Sequence, residues 1–231
     1  MNGAVSRRIV ALLPMKANSE RVKGKNFRVF NGKPLFRWIL DSLLGVEAID
    51  QVVINTDARE ILAENGLTSS GRVSIRDRRQ EICGDFVSMN IVLADDIASV
   101  PADLYLMTHT TNPLLSSETI RAAIKAFDDS SAEIDSLFTV NKFQTRFYRA
   151  DGSPVNHDPN NLVRTQDLEP WYEENSNLYL FTRESFAKTN ARIGAQPVMF
   201  ETPFMESFDI DTLDDWTICE IISKHLTSTK N

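Results

Sequence analysis

The sequence predicts an α/β protein with a doubly wound, mainly parallel sheet. Short β-branched runs alternate with segments of helical period, the signature of strands joined by crossover helices. The 231 residues suit one large domain, and 42% apolar with 25% charged residues is globular composition. The predicted strands are Arg8 to Leu13, Gln51 to Asn55, Arg72 to Ile75, Asp103 to Met107, Ser136 to Val140 and Asn177 to Phe181.

After the first strand, Pro34 suits the first turn of a helix in which Leu35, Ile39 and Leu43 share a face, and Gly45 is placed to end it. Asp57 follows the second strand, where it reads as the cap of a short helix through Leu62. Ser116 begins another helix, with Ile120, Ala123, Ile124 and Phe127 as its buried stripe. The final helix takes Thr212 as cap, Asp214 and Asp215 in the dipole-favoured first turn, and Cys219, Ile222 and Leu226 inward; Thr227 to Asn231 should fray. Residues 142 to 175 break the alternation. Pro154, Pro159 and Pro170 oppose long helices there, while Phe143, Phe147, Tyr148, Trp171 and Tyr172 supply more aromatic surface than a solvated loop leaves bare. This stretch is read as an insertion in a single domain, packed against a second subunit.

With 25 Lys and Arg against 32 Asp and Glu, the net charge of −7 argues against nucleic acid as partner. Cys83 and Cys219 lie far apart with no CxxC, which supports neither a disulfide framework nor a zinc site and points to a reducing compartment, the cytoplasm. Pro14 and Lys16 cut the first apolar run far below the ~18 residues of a membrane span, so no membrane association is expected. His157 and His225 read as surface residues.

In an open parallel sheet, ligands bind beyond the carboxyl ends of the strands. The first such loop carries Lys16, Arg21, Lys23, Lys25 and Arg28 among small and amide residues, a composition suited to a triphosphate or, more blandly, to a solvated basic loop. It is neither a Walker A loop nor a GxGxxG turn. Towards the other end, an extended Asp209-Ile210-Asp211 would send both carboxylates to one side and Ile210 into the core. Two hard oxygen ligands fit Mg²⁺, which needs only one or two carboxylates beside substrate oxygens; as an isolated motif, the same residues read equally well as a helix cap. His109, after the fourth strand, could bond a nucleotide or merely its own loop.

Together these segments resemble the acylneuraminate cytidylyltransferases. The resemblance rests on Leu13-Pro14-Met15-Lys16-Ala17-Asn18-Ser19 through Lys25-Asn26, Asn31-Gly32-Lys33-Pro34-Leu35, Asn55-Thr56-Asp57, Arg78 to Asp85, Thr111-Asn112-Pro113-Leu114, Tyr172-Glu173-Glu174-Asn175 and Ser207-Phe208-Asp209-Ile210-Asp211, in that order over nearly the whole chain. It implies a Rossmann-like nucleotidyltransferase domain with a dimerisation arm, here at about 142 to 175, that reaches into the partner's active site. It implies that Lys16, Ser19, Lys25 and Asn26 bind CTP phosphates and ribose, that Arg78, Val87 and Ser88 surround the nucleotide, and that Asp209 and Asp211 hold Mg²⁺. Lys16, Lys25 and Asp211 would then be catalytic, and His109, Arg146, Arg164 and Asn175 would meet the sugar acid. Lys16 stands where the family usually has Arg, keeping the charge without the bidentate fork; His109 replaces a common Gln, and Asn175-Ser176 a common Asn-Gly. The expected reaction is Mg²⁺-dependent transfer of CMP from CTP to a 2-keto-3-deoxy sugar acid by a homodimer. The alternatives are a DxD glycosyltransferase using a sugar nucleotide and a non-catalytic nucleotide-binding homologue.

Overall fold

The computed structural model describes residues 7–19 and 21–228. Its centre is a seven-stranded sheet, built among these residues from β1 (Ile9–Leu12), β4 (Gln51–Thr56), β5 (Val73–Asp77), β6 (Leu104–Met107), β7 (Ser136–Phe143), β8 (Trp171–Phe181) and β9 (Pro197–Glu201) in the order β5-β4-β1-β6-β8-β7-β9. Only β8 runs against its neighbours, so the mainly parallel expectation holds.

Alternation along β1 explains why helices cover both faces. Ile9, Ala11 and Leu13 enter one apolar cluster with α1 (Leu35–Leu44) and α4 (Ser117–Asp128), whereas Val10 and Leu12 enter a second with α3 (Met89–Ser99) and α5 (Arg183–Thr189). A third cluster ties Val22, Phe30 and Leu35 to Ile210, and to Trp216 and Cys219 of α6 (Leu213–Ser228). Phe30 belongs to a short hairpin of β2 (Val29–Phe30) and β3 (Lys33–Pro34) that precedes α1.

The local reading holds in part. Ser116 caps α4 by accepting from the Thr119 N–H, and Ile120, Ala123 and Ile124 are buried. Thr212 and Asp215 exchange cap hydrogen bonds at the start of α6, as expected of Thr212. Pro34, however, is the N-cap of α1 rather than a first-turn residue, because it is still extended (ψ 142°) and paired with Val29. Gly45 ends α1 with a right-handed φ of −72°; its smallness matters because a Cβ there would lie 2.5 Å from Ser117 Oγ. Asp57 does not cap α2 (Arg59–Glu64): Thr56 Oγ1 accepts from the Ala58 N–H instead, and Asp57 is drawn to the first loop. Helix α6 runs through Ser228, so Thr227 and Ser228 are helical; residues 229 to 231 lie outside the described set.

The sequence reading contained no α3, α5, β9 or hairpin. The buried Asp96 interrupts α3's apolar face, α5 has seven residues, and β9 lies at the sheet's edge with no buried residue. The stretch from 144 to 170 lacks long elements, and β7 and β8 extend into its two flanks. Phe147 stacks on Trp171 at 5.4 Å, and His157, expected on the surface, is half-buried against Tyr148, its Nε2 2.9 Å from the hydroxyl. His225 is exposed as expected. Cys83 and Cys219 are free. Among the described residues, no helix is long and apolar enough to cross a membrane.

Candidate active site

Strands β1, β4 and β6 end side by side, and the loops beyond them enclose a hollow of about 300 Å³. The first loop is clamped from both sides. The Ala17 N–H donates to Asp57 Oδ1 (2.7 Å) and Asn26 Nδ2 to the Lys16 carbonyl (2.8 Å), while Asn26 Oδ1 accepts from the Thr110 hydroxyl (2.7 Å). Gly24, at φ 63°, makes the left-handed turn that aims Lys25 inward. Lys16, Ser19, Arg21, Lys25, Asn26, Arg78, His109 and Asp211 all line the hollow.

The carboxylates arrive from the far end of the chain. Ile210 is fully buried, its N–H donating to the Thr111 carbonyl (2.9 Å) and its carbonyl accepting from Lys25 Nζ, so Asp209 and Asp211 flank an anchored residue; the segment is not a strand, and of the two carboxylates Asp211 lines the hollow whereas Asp209 does not. Asp211 lies 2.7 Å from Arg21 Nη1 and 3.5 Å from Lys25 Nζ. Asp209 Oδ1 is buried without a partner, and burial holds that carboxyl above its usual range although Thr111 donates to it. A buried, orphaned acceptor beside a second carboxylate is a donor set that suits a hard divalent cation. Among the described residues no cluster of three or more His, Cys, Asp or Glu side chains could hold a metal.

Arg78 forms the opposite wall. Its Nε donates to Asn55 Oδ1 and its Nη2 to the Asn55 carbonyl, both at 2.9 Å, and Asn55 Nδ2 donates in turn to Asp96 Oδ1 at 2.8 Å. Because a carboxylate only accepts, Asp96 fixes which end of the Asn55 amide faces Arg78. Burial pushes Asp96 up to about 6, and also lowers Arg78 from its ordinary value. Burial, with Arg192 adding to it, pushes His109 down to about 3, which leaves its ring neutral at pH 7.

A cytidylyltransferase family profile matches residues 10–226. The chain belongs to the cytidylyltransferase family. It is therefore a nucleotidyltransferase, and the glycosyltransferase alternative falls away. Its relatives include the pseudaminic acid cytidylyltransferase of Campylobacter jejuni, 24% identical over 93% of this chain and 96% of that one. The CMP-N,N'-diacetyllegionaminic acid synthase of Legionella pneumophila is 26% identical over 92% and 95% of the two chains. Among solved structures, a CMP:2-keto-3-deoxy-manno-octonic acid synthetase complexed with CTP superposes with a TM-score of 0.65 at 14% identity, covering 94% of this chain and 99% of that one. The 4-diphosphocytidyl-2C-methyl-D-erythritol synthase of Anaerococcus prevotii does so at 0.69 and 13%, covering 95% and 97%. These likenesses establish the fold as the Rossmann-like nucleotidyltransferase type.

In this cytidylyltransferase the remaining expected residues lie outside the hollow. Ser88, exposed, precedes α3, and Val87 is half-buried beside it; the neighbouring Met89 lines the hollow instead. Asn175 is buried between Asn141 and Thr202, its amide nitrogen 3.1 and 2.7 Å from their side-chain oxygens, which makes it a strand-packing residue here rather than a lining one. Arg146 donates to the Val163 carbonyl and Arg164 pairs with Asp167, both inside the 142 to 175 stretch. Sequence reasoning missed Asp85, which pairs with Lys16 at 2.7 Å, and Asp96. Asp85 closes the Arg78 to Asp85 segment of the resemblance, which assigns it no role, and no local motif marks Asp96.

Proposed function

We propose that this cytidylyltransferase activates a 2-keto-3-deoxy sugar acid of the nonulosonate class with CTP. The anomeric hydroxyl of the acid attacks the α-phosphorus, a new P–O bond forms, the α–β phosphoanhydride bond breaks, and pyrophosphate leaves. The observation that carries this reading is the single hollow shared by Lys16, Arg21 and Lys25 of the first loop and by Asp211 near the last helix. Displacement at phosphorus is driven mainly by alignment and charge neutralisation, which such a hollow supplies. Lys16 and Lys25 would neutralise the triphosphate, Ser19 and Asn26 would hold phosphate and ribose, and Arg78 would bound the nucleotide. Asp211 would help position or deprotonate the hydroxyl. Asp209 and Asp211 would hold Mg²⁺, which when bound supplies charge neutralisation at the phosphate oxygens.

The acceptor class is supported by the pseudaminic, diacetyllegionaminic and acylneuraminic acids in the names of relatives that align along nearly all of this chain. The 142 to 175 stretch would form a homodimer arm, supported by exposed Tyr148, Leu162, Val163, Trp171 and Tyr172. A CTP-consuming enzyme with two free cysteines suits the cytoplasm.

The test is pyrophosphate release with Mg²⁺ and a panel of neuraminic, legionaminic, pseudaminic and octulosonic acids, run with CTP beside ATP, GTP and UTP. Release with CTP and at least one nine-carbon acid is expected. Silence across the panel, or equal use of the four nucleotides, would overturn the reading.

A further inference from the structure

Against the nucleotide hollow lies a second, shallower hollow of about 230 Å³, formed by the start of α3 and the turn after α5. Met89 lines both and is the ridge between them. Arg192 is the charged side chain that lines the second hollow. Its guanidinium carbon sits 3.9 Å over the Tyr179 ring, which fixes its plane. Nη2 is 3.4 Å from Glu174 Oε1, and that oxygen also accepts from the Tyr179 hydroxyl. Nη1 is 3.5 Å from His109 Nε2, and His109 in turn lines the nucleotide hollow. Both polar contacts are longer than the 2.7–2.9 Å of a strong charge-assisted bond, so a planar fork is held in place without being saturated.

The geometry points to Arg192 as the residue that receives the carboxylate of the acceptor, in a subsite set off from the nucleotide by Met89 and His109. The inference rests on the reading of the acceptor as a 2-keto acid. In such an acid the carboxylate is bonded to the carbon that carries the attacking hydroxyl, so its cation must stand beside the triphosphate cradle without belonging to it. Lys16, Arg21 and Lys25 line that cradle and would be taken by phosphate. Arg192 lies one side chain further out, behind a neutral His109 that adds no competing charge. Glu174 and Tyr179 brace the Nη2 side and leave the Nη1 edge towards His109 for the incoming anion. Arg146 and Arg164 line neither hollow, and their guanidinium groups are engaged by the Val163 carbonyl and Asp167.

The experiment compares a keto acid that the wild-type enzyme uses with its methyl ester, by pyrophosphate release from the full-length protein. Wild-type enzyme should show a KM for the ester at least ~10-fold above that for the acid, the size expected for losing a hydrogen-bonded ion pair. Arg192→Gln should raise the acid's KM by ~10-fold or more, leave the KM for CTP within about twofold, and treat acid and ester alike. Arg192→Lys, which keeps the charge above Tyr179 but loses the fork, should restore part of the preference. Should the Gln variant fail to fold, the Lys variant decides: a raised KM for the acid with unchanged KM for CTP supports the assignment, and wild-type values overturn it. Persistent discrimination against the ester in a folded Arg192→Gln enzyme, or a parallel rise in both KM values, overturns the assignment alone. Wild-type enzyme that uses no keto acid overturns the acceptor reading and this inference together.

Discussion

The two walls of the nucleotide hollow are built on opposite principles. The Arg78 wall is a relay of buried hydrogen bonds, from Asp96 with no exposure at all through Asn55 to the guanidinium. Around the basic loop, beside the buried Lys25, stand ion pairs open to water: Lys16 and Asp85 are 38% and 44% exposed, Arg21 and Asp211 66% and 46%. Exposed pairs of this kind contribute about 0–1 kcal/mol, so a triphosphate can take over their cations at little cost, whereas breaking one link of the relay strands a desolvated group. On the proposed reading, the fixed wall would set position and the exchangeable wall would supply charge.

Four changes break or sharpen this contrast. The largest effect is expected from Asp211→Asn, which removes the carboxylate on the exchangeable side: turnover in pyrophosphate release should fall by ~100-fold or more, while thermal unfolding barely shifts because the side chain is half exposed. Asn55→Ala cuts the relay: Arg78 Nε loses its acceptor, and Asp96 Oδ1 is left with Arg76 alone. It should cost about 2–4 kcal/mol in urea unfolding and raise the KM for CTP roughly tenfold, a combination that an exposed-wall variant would not give.

Asp96 also has a pH signature. Its folded value of about 6 lies above its ordinary 3.8, so between roughly pH 4 and 6 the native state keeps a proton that the unfolded chain has released. Its contribution to stability is therefore full below pH 4 and lost as pH rises through 6, by at most about 3 kcal/mol. His109 acts in the opposite sense, because its lowered value makes the fold lose stability as pH drops below 6.5. Urea unfolding of wild type and Asp96→Asn from pH 4 to 7 separates the two. The advantage of wild type over the variant should shrink as pH rises, and a constant difference would contradict the relay's buried carboxylate. The smallest effect belongs to Asp85→Asn, which frees Lys16 from one anion. CTP should bind about two- to threefold more tightly by calorimetry, with unfolding changed by less than about 0.5 kcal/mol and the gain erased by high salt.

The same contrast explains what could be read from the sequence. Strands β1 and β6 are buried at every position, and such continuous apolar runs identify a central parallel strand without further help. Lys16, Lys25 and the Asp209 and Asp211 pair stood out because charge density and spacing are local properties. The relay did not, since Asn55 and Asp96 lie 41 positions apart and Asp96 reads as an ordinary helical aspartate. Asp57 shows the limit most directly. A short acidic residue after a strand is a good cap candidate, and only the Ala17 N–H, 40 residues upstream, gives it another use. Arg192 escaped as well, because its contact with His109 spans 83 positions and those with Tyr179 and Glu174 follow from the packing of β8 rather than from any local pattern.

The bond between Lys25 and the Ile210 carbonyl spans 185 positions, and the apolar cluster beneath it joins Val22, Phe30 and Leu35 to Trp216 and Cys219. Contacts of such long sequence separation form late, so β1 can be in place well before the first loop and the segment around Ile210 lock against each other and give the hollow its shape.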